Sequence, residues 1–249
     1  FIPTYRVVEQ MHNHGFYVVE ARTHDGRTSE SRESSLHSLR FRNGNDALRM
    51  RDQVIPEIVL YNSHDGSNRL RMQTGLYRVI CTNGLLAHTA NFMDTAVSHV
   101  GNLRETITVR LNRMIESFST IVKMIQVMDR TFMSFSAQHS FASEALESVF
   151  GAERMQRLNP ADYLQAVREQ DKEHSVWTVM NRVQEKLSNG GMPVRPTVPG
   201  RQAVAFTRGL KSVRSDYDMN TKVWALAMAA IVKAQATGNA AAKAAAQEA

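Results

Sequence analysis

The sequence predicts an α+β fold: a small, mostly antiparallel mixed sheet in the N-terminal half, then a long amphipathic helix and a helical C-terminal half. Three observations carry this expectation. Aromatic and β-branched runs, FYVVEAR (16–22) and PEIVLY (56–61), stand between turn-forming residues in the first hundred positions. From residue 102 the apolar residues change to steps of three and four, the spacing of one helix face. A cluster of three Pro and three Gly at 190–202 then separates this region from a last apolar-periodic stretch.

In chain order, Pro3 and Thr4 open a helical segment carrying Val7, Val8 and Met11, and Gly15 offers the left-handed residue that stops it. Phe16–Arg22 reads as a strand, and residues 23–35 as a polar loop. In SLHSLRFR (35–42), Leu36, Leu39 and Phe41 are candidates for the core, with His37, Arg40 and Arg42 toward the other side. PEIVLY is a strand whose hairpin partner is Asn68–Met72, joined through the tight-turn pair Asp65-Gly66. Gly75–Leu85 suits a short helix as well as a strand.

Ile107, Leu111, Met114, Phe118, Ile121, Ile125, Met128, Phe132 and Phe135 form an apolar stripe four heptads long. The period of about 3.5 suits a helix packed on another helix, in the same chain or in a second copy. Val109, Ile115, Val122, Met124 and Val127 are expected to widen its buried face. Ser143 to Gly151, Asn159-Pro160 onward, Ser175 to Gly190-Gly191 and Tyr217–Ala234 read as further helices, and the Ala-rich tail as a frayed end. The organisation expected is 1–101 as a mixed α/β core, 102–188 as a helical region packed on it, 189–215 as a basic loop or hinge, and 216–249 as the last helix and tail.

The 249 residues can bury a sizeable core, and 43% hydrophobic with 22% charged residues is ordinary for a globular chain. No apolar run has the length of a membrane span, and no signal peptide is recognisable. The single cysteine, Cys81, excludes an internal disulfide and a multi-cysteine zinc site, so a reduced, cytoplasmic protein is expected. Phe1 is not an initiator methionine.

No catalytic set is legible. Ser63, His64 and Asp65 are consecutive and cannot readily converge on one reacting atom, whereas a turn explains them simply. The nine histidines form no HExxH pair. A metal site from His37, His64, Asp65 and His88 is conceivable and would point to a nuclease, but neither metal nor cofactor is expected. Gly209-Leu210-Lys211-Ser212 lacks the spacing of a phosphate loop, and no GxGxxG follows a strand.

Charge is the remaining theme. Residues 1–175 hold 20 Lys and Arg against 20 Asp and Glu, and residues 176–249 hold 10 against 4, so the whole excess of +6 lies in the last third. Lys186, Arg195, Arg201, Arg208, Lys211 and Arg214 stand in a stretch without one carboxylate, which attracts polyanions. A second set interleaves basic and aromatic residues: His37, Arg40, Phe41 and Arg42, then Arg69, Arg71, Tyr77 and Arg78. Alternate strand arginines project from one face about 7 Å apart, near the phosphate spacing of an extended single strand. The same arginines could instead pair with Glu20, Glu57 or Asp46.

Six separated blocks, FIPTYRVVEQMHNHGFYVV (1–19), LHSLRFRN (36–43), PEIVLYNSHDGS (56–67), GLYRVICTNGLL (75–86), NRVQEKLSNGG (181–191) and MNTKVWALA (219–227), resemble the phage- and plasmid-encoded YfjQ/YafZ-like family, domain of unknown function 932. The resemblance implies mobile-element origin and more chain ahead of the FIPT element; it implies no activity. The function expected is a non-enzymatic nucleic-acid-binding protein of phage or plasmid recombination, an oligomeric single-strand DNA annealing protein. Its partners would be single-stranded DNA and further copies of the chain, with no membrane. The expected nucleic-acid contacts are Arg40, Arg42, Arg69, Arg71, Arg78, Lys186, Arg195, Arg201, Arg208, Lys211 and Arg214. The alternative is a protein-interaction factor that inhibits a host restriction or defence enzyme, with a metal-dependent nuclease third.

Overall fold

The computed structural model describes residues 2–23, 36–44, 54–63, 70–78, 84–86, 103–196 and 205–247. Its contacts fall into two units, 1–122 with 211–217 and 123–210 with 218–249, so two long helices contribute to both. The fold class is α+β, as expected.

In the first unit, helix α1 (Thr4–Asn13) ends at Gly15, whose φ of +78° reverses the chain into strand β1 (Phe16–Thr23). Strands β2 (His37–Asn43), β3 (Val54–Asn62), β4 (Arg71–Arg78) and β5 (Gly84–Leu86) follow. They lie side by side in chain order, every described pair antiparallel. The sheet is thus a meander, and Gly75–Leu85, open to helix or strand in sequence, is strand at both ends. β3 is buried on both faces, which explains its nearly continuous apolar run. Buried Asn62 fastens α1 to the sheet, donating to the Ile2 carbonyl at 2.9 Å and to Thr4 Oγ1 at 3.0 Å.

The sides expected for β2 need correction at two positions. Strand residues two apart share a face, so His37 goes with Leu39 and Phe41, and its ring nitrogen lies 2.9 Å from Thr4 Oγ1. Leu36 falls on the Arg40 side, against the cluster of Val59, Tyr61 and Val213.

Helix α2 (Leu103–Arg130) carries the long apolar stripe. Seven of its nine positions, Ile107 to Met128, are buried; Phe132 and Phe135 are 66% and 78% exposed. The continuous stripe is interrupted because the chain leaves the helix after Arg130. The Met133 N–H bonds the His174 carbonyl, the Val176 N–H bonds the Thr131 carbonyl, and Ser134 Oγ caps a new helix by accepting from the Ala137 N–H. Side-chain caps and bonds to residues distant in sequence replace the orphaned helical ladder. Val109 and Val127 are exposed too, so the buried face is narrower than expected.

The second unit continues with α3 (Phe135–Phe150), the short α4 (Ala152–Met155), α5 (Pro160–Leu164) and α6 (Val176–Asn189). Ser143 does not start a helix; it lies inside α3 and donates to the His139 carbonyl. Asn159 and Ser175 cap α5 and α6 as the sequence indicates. Strands β6 (Gly190–Val194) and β7 (Ala205–Arg208) form a two-stranded ribbon where a loop was expected. The last helix, α7 (Val213–Gln247), extends well beyond both expected ends. Its Val223, Trp224, Ala227 and Ile231 are buried, and Asn220 accepts from the buried Gln184 amide at 3.1 Å. Among the described residues, no helix is long and apolar enough to cross a membrane.

Candidate nucleic-acid interface

Two arginines of β2 converge on a carboxylate. Arg40 and Arg42 lie on one face, as alternation requires, and their Nε atoms donate to the two oxygens of Glu57 at 2.5 Å and 2.6 Å. Glu57 is completely buried, Arg40 is 5% exposed, and the Arg42 guanidinium lies 3.9 Å over the Tyr77 ring. Glycine at position 75 leaves the space: a Cβ there would stand 2.8 Å from Val59 Cγ2 and 3.5 Å from Arg40 Nη2. For Arg40 and Arg42 the pairing with Glu57 weighed from sequence is the one present, in place of a solvent-facing pair of guanidinium groups. Arg22 bonds Glu20 at 2.5 Å on the same sheet. Arg71 is half-buried; Arg78 ends β4; Arg69 lies outside the described residues.

Lys186 is likewise committed. It donates to the carbonyls of Asp162 at 2.7 Å and Gln165 at 2.5 Å, tying α6 to the end of α5. Burial, with Arg182 nearby, pushes its amine down to about 8.

The ribbon is different. Gly190 follows α6 with φ +70° and ψ −148°, a conformation that L side chains rarely adopt, and turns the chain directly into β6. A Cβ on it would stand 2.4 Å from the Gly209 nitrogen, and one on Gly209 would stand 2.8 Å from the Asn189 carbonyl oxygen. Two residues without side chains therefore let the ends of the ribbon touch, and the Leu210 N–H closes them by bonding the Ser188 carbonyl at 2.9 Å. The register pairs Gly190 with Arg208, Pro193 with Phe206 and Val194 with Ala205, with an irregularity between Gly190 and Pro193. There the Met192 N–H donates to Thr207 Oγ1 at 3.0 Å.

The inner side holds buried Val194 and Thr207, and the buried Tyr163 phenol, pushed up by desolvation, stands beside Thr207 and Arg154. Pro193, Arg195, Phe206 and Arg208 are exposed. Arg157 clamps the segment after β6: its carbonyl accepts the Arg195 N–H at 2.8 Å, and its Nε donates to the Arg195 carbonyl at 2.9 Å. The exposed Arg154 guanidinium lies 5.0 Å over the Phe150 ring. Three arginines, 157, 195 and 208, are thus gathered at one ribbon. Arg154, Arg157 and Phe206 were not singled out in sequence. The first two stand beside Glu153 in a stretch of mixed charge, and only the strand alternation of AFTR hinted at Phe206.

Lys211 and Arg214 are exposed at the start of the 211–217 segment, and Arg201 lies outside the described residues. So do His64, Asp65, His88 and Cys81. Among the described residues, no group of three His, Cys, Asp or Glu is placed to hold a metal ion.

Residues 1–224 match the family described as "Domain of unknown function (DUF932)". The UPF0380 protein YafZ of Escherichia coli strain K12 is 28% identical over 235 residues, covering 94% of this chain and 83% of that protein. The UPF0380 protein YfjQ of the same strain is 27% identical over 238 residues, with the same coverage. No solved structure matches the chain.

Proposed function

This chain belongs to the DUF932 family, and we propose that it is a non-enzymatic nucleic-acid-binding protein that holds the phosphate backbone on its β6–β7 ribbon. The observation that carries the reading is the gathering of Arg157, Arg195 and Arg208 at a ribbon whose surrounding sequence, 186–215, has no carboxylate. Arginine suits this work: its guanidinium is always charged and matches phosphate oxygens in a two-bond fork. Binding would release counterions from the polyanion and therefore weaken steeply with salt. Arg40 and Arg42 are not part of this interface, because Glu57 already occupies them.

In a mobile-element setting the activity that needs only this chemistry is strand annealing by an assembly of copies, which requires neither metal nor nucleotide. The test is fluorescence anisotropy with labelled oligonucleotides over a salt series, with light scattering on the same sample. Neutralising each contacting arginine should flatten the logarithmic salt slope by about 0.7 on a single strand. No binding at low salt, or a slope indifferent to Arg157→Gln, Arg195→Gln and Arg208→Gln combined, would overturn the proposal.

A second reading has its own observation. A groove of about 540 Å³ lies between α3 and α7, lined by Phe132, Phe141, Leu226, Ala230 and Ala234 with the Glu144–Lys233 ion pair beside it. An apolar side chain of a partner protein would fit there, which is the protein-interaction alternative. Pull-down from host extract with loss on Ala234→Trp would favour it over the ribbon.

A further inference from the structure

We propose that the outward face of the ribbon is a stacking step for unpaired bases, with Phe206 as the residue that distinguishes single-stranded from duplex nucleic acid. The inference rests on the nucleic-acid reading of the ribbon and adds its substrate class. Phe206 is 58% exposed, although the inner side of the same ribbon is closed by buried Thr207 and Val194. Its ring therefore adds little to the core. Its cross-strand neighbour is Pro193, so an aromatic and a rigid apolar ring adjoin on one exposed face.

Arg208 follows two strand residues after Phe206, on the same face about 7 Å away. Arg195 follows two residues after Pro193, on the opposite strand, and is also exposed. The face thus presents a cation, a flat apolar step and a second cation in a line. Successive phosphates of an extended strand would meet the cations while the base between them lies on the ring. Every base has a π-face, so such a step is indifferent to sequence. In a duplex the base faces are covered by their neighbours, so the same step has nothing to stack on, and only the cations engage. An apolar protein segment would not call for guanidinium groups on both sides of the ring, which favours a nucleotide as the occupant.

The experiment uses the full chain and compares a mixed-sequence single strand, its duplex and an abasic single strand of equal length by anisotropy. Phe206→Ala should weaken single-strand binding about tenfold, leave duplex binding and the salt slope unchanged, and bring single and abasic strands to equal affinity. Phe206→Trp should restore the preference. Equal loss on single strand and duplex, or retained preference in Phe206→Ala, would overturn the stacking role while leaving the phosphate contacts standing. A changed oligomeric state with unchanged single-strand affinity would show a protein contact and overturn it as well. Wild-type chain that binds no strand would instead defeat the nucleic-acid reading itself.

Discussion

Replacing Gly190 with alanine tests the geometry on which the ribbon depends. The added Cβ would stand 2.4 Å from the Gly209 nitrogen, 2.5 Å from the Arg208 carbonyl carbon and 2.8 Å from the Thr207 carbonyl oxygen. All three are backbone atoms and cannot rotate away. Overpacking of this kind costs about 1–3 kcal/mol, and φ +70° with ψ −148° costs a side-chain-bearing residue about 1–3 kcal/mol more. Gly151 is the internal control: its φ is +81° and ψ 160°, and among the described residues no atom comes within 4 Å of its Cβ position. Gly151→Ala should therefore cost only the conformational part. Amide hydrogen exchange at Met192 and Leu210, whose N–H groups close the ribbon, should accelerate strongly in Gly190→Ala and stay unchanged in Gly151→Ala. Urea unfolding should rank the two in the same order. Equal destabilisation by the two variants would refute the close approach of Gly190 and Gly209, and with it the argument that the ribbon is pinned at its base.

Other expectations follow from groups already placed. Glu57→Gln removes the charge shared by Arg40 and Arg42 and leaves the buried Arg40 guanidinium only the more distant Glu20 at 3.8 Å, a loss of about 3 kcal/mol; an unfolding free energy in urea lowered by under a third of that would contradict the buried triad. Lys186 has a folded value of about 8 against an ordinary 10.5, so the unfolded chain binds the extra proton between those values. Its contribution to stability should rise as pH climbs from about 8 to 10.5, seen as a widening advantage of wild type over Lys186→Met across that window. A difference constant across the window would contradict the depressed value. Gly75→Ala should destabilise the sheet by about 1–3 kcal/mol through contact with Val59, which Val59→Ala in the same chain should partly relieve.

Much of the architecture was legible because local signals and tertiary packing agree. Gly15, Asn159-Pro160, Ser175 and the Gly190-Gly191 pair all mark real boundaries, since capping and left-handed turns are decided within a few residues. The stripe from Ile107 to Phe135 misled at its end for the opposite reason: its period persists through the break after Arg130, and what ends the helix is bonding to His174 and Ser175, more than forty positions away. The ribbon was hidden by composition. Pro193 and the surrounding glycines read as loop, while the pairing of β6 with β7 depends on one close backbone approach that no short-range pattern announces. The candidate site was legible as an acid-free basic stretch, but sequence could not separate Lys186, held by two carbonyls, from exposed Arg195 and Arg208. Nor could it foresee that Arg40 and Arg42 would turn toward one glutamate.

That glutamate has a consequence for how the sheet finds its alignment. β3 is apolar and covered on both faces, so sliding it by one residue against β2 would exchange one greasy face for another and cost little in hydrophobic terms. Glu57 removes the ambiguity. In a strand slipped by one, its carboxylate would emerge on the side of Phe41 and leave two guanidinium groups stranded on the opposite side. Of these two alignments only the native one brings the three charges together, so a single acidic residue works as a key in a strand whose other residues would accept more than one lock.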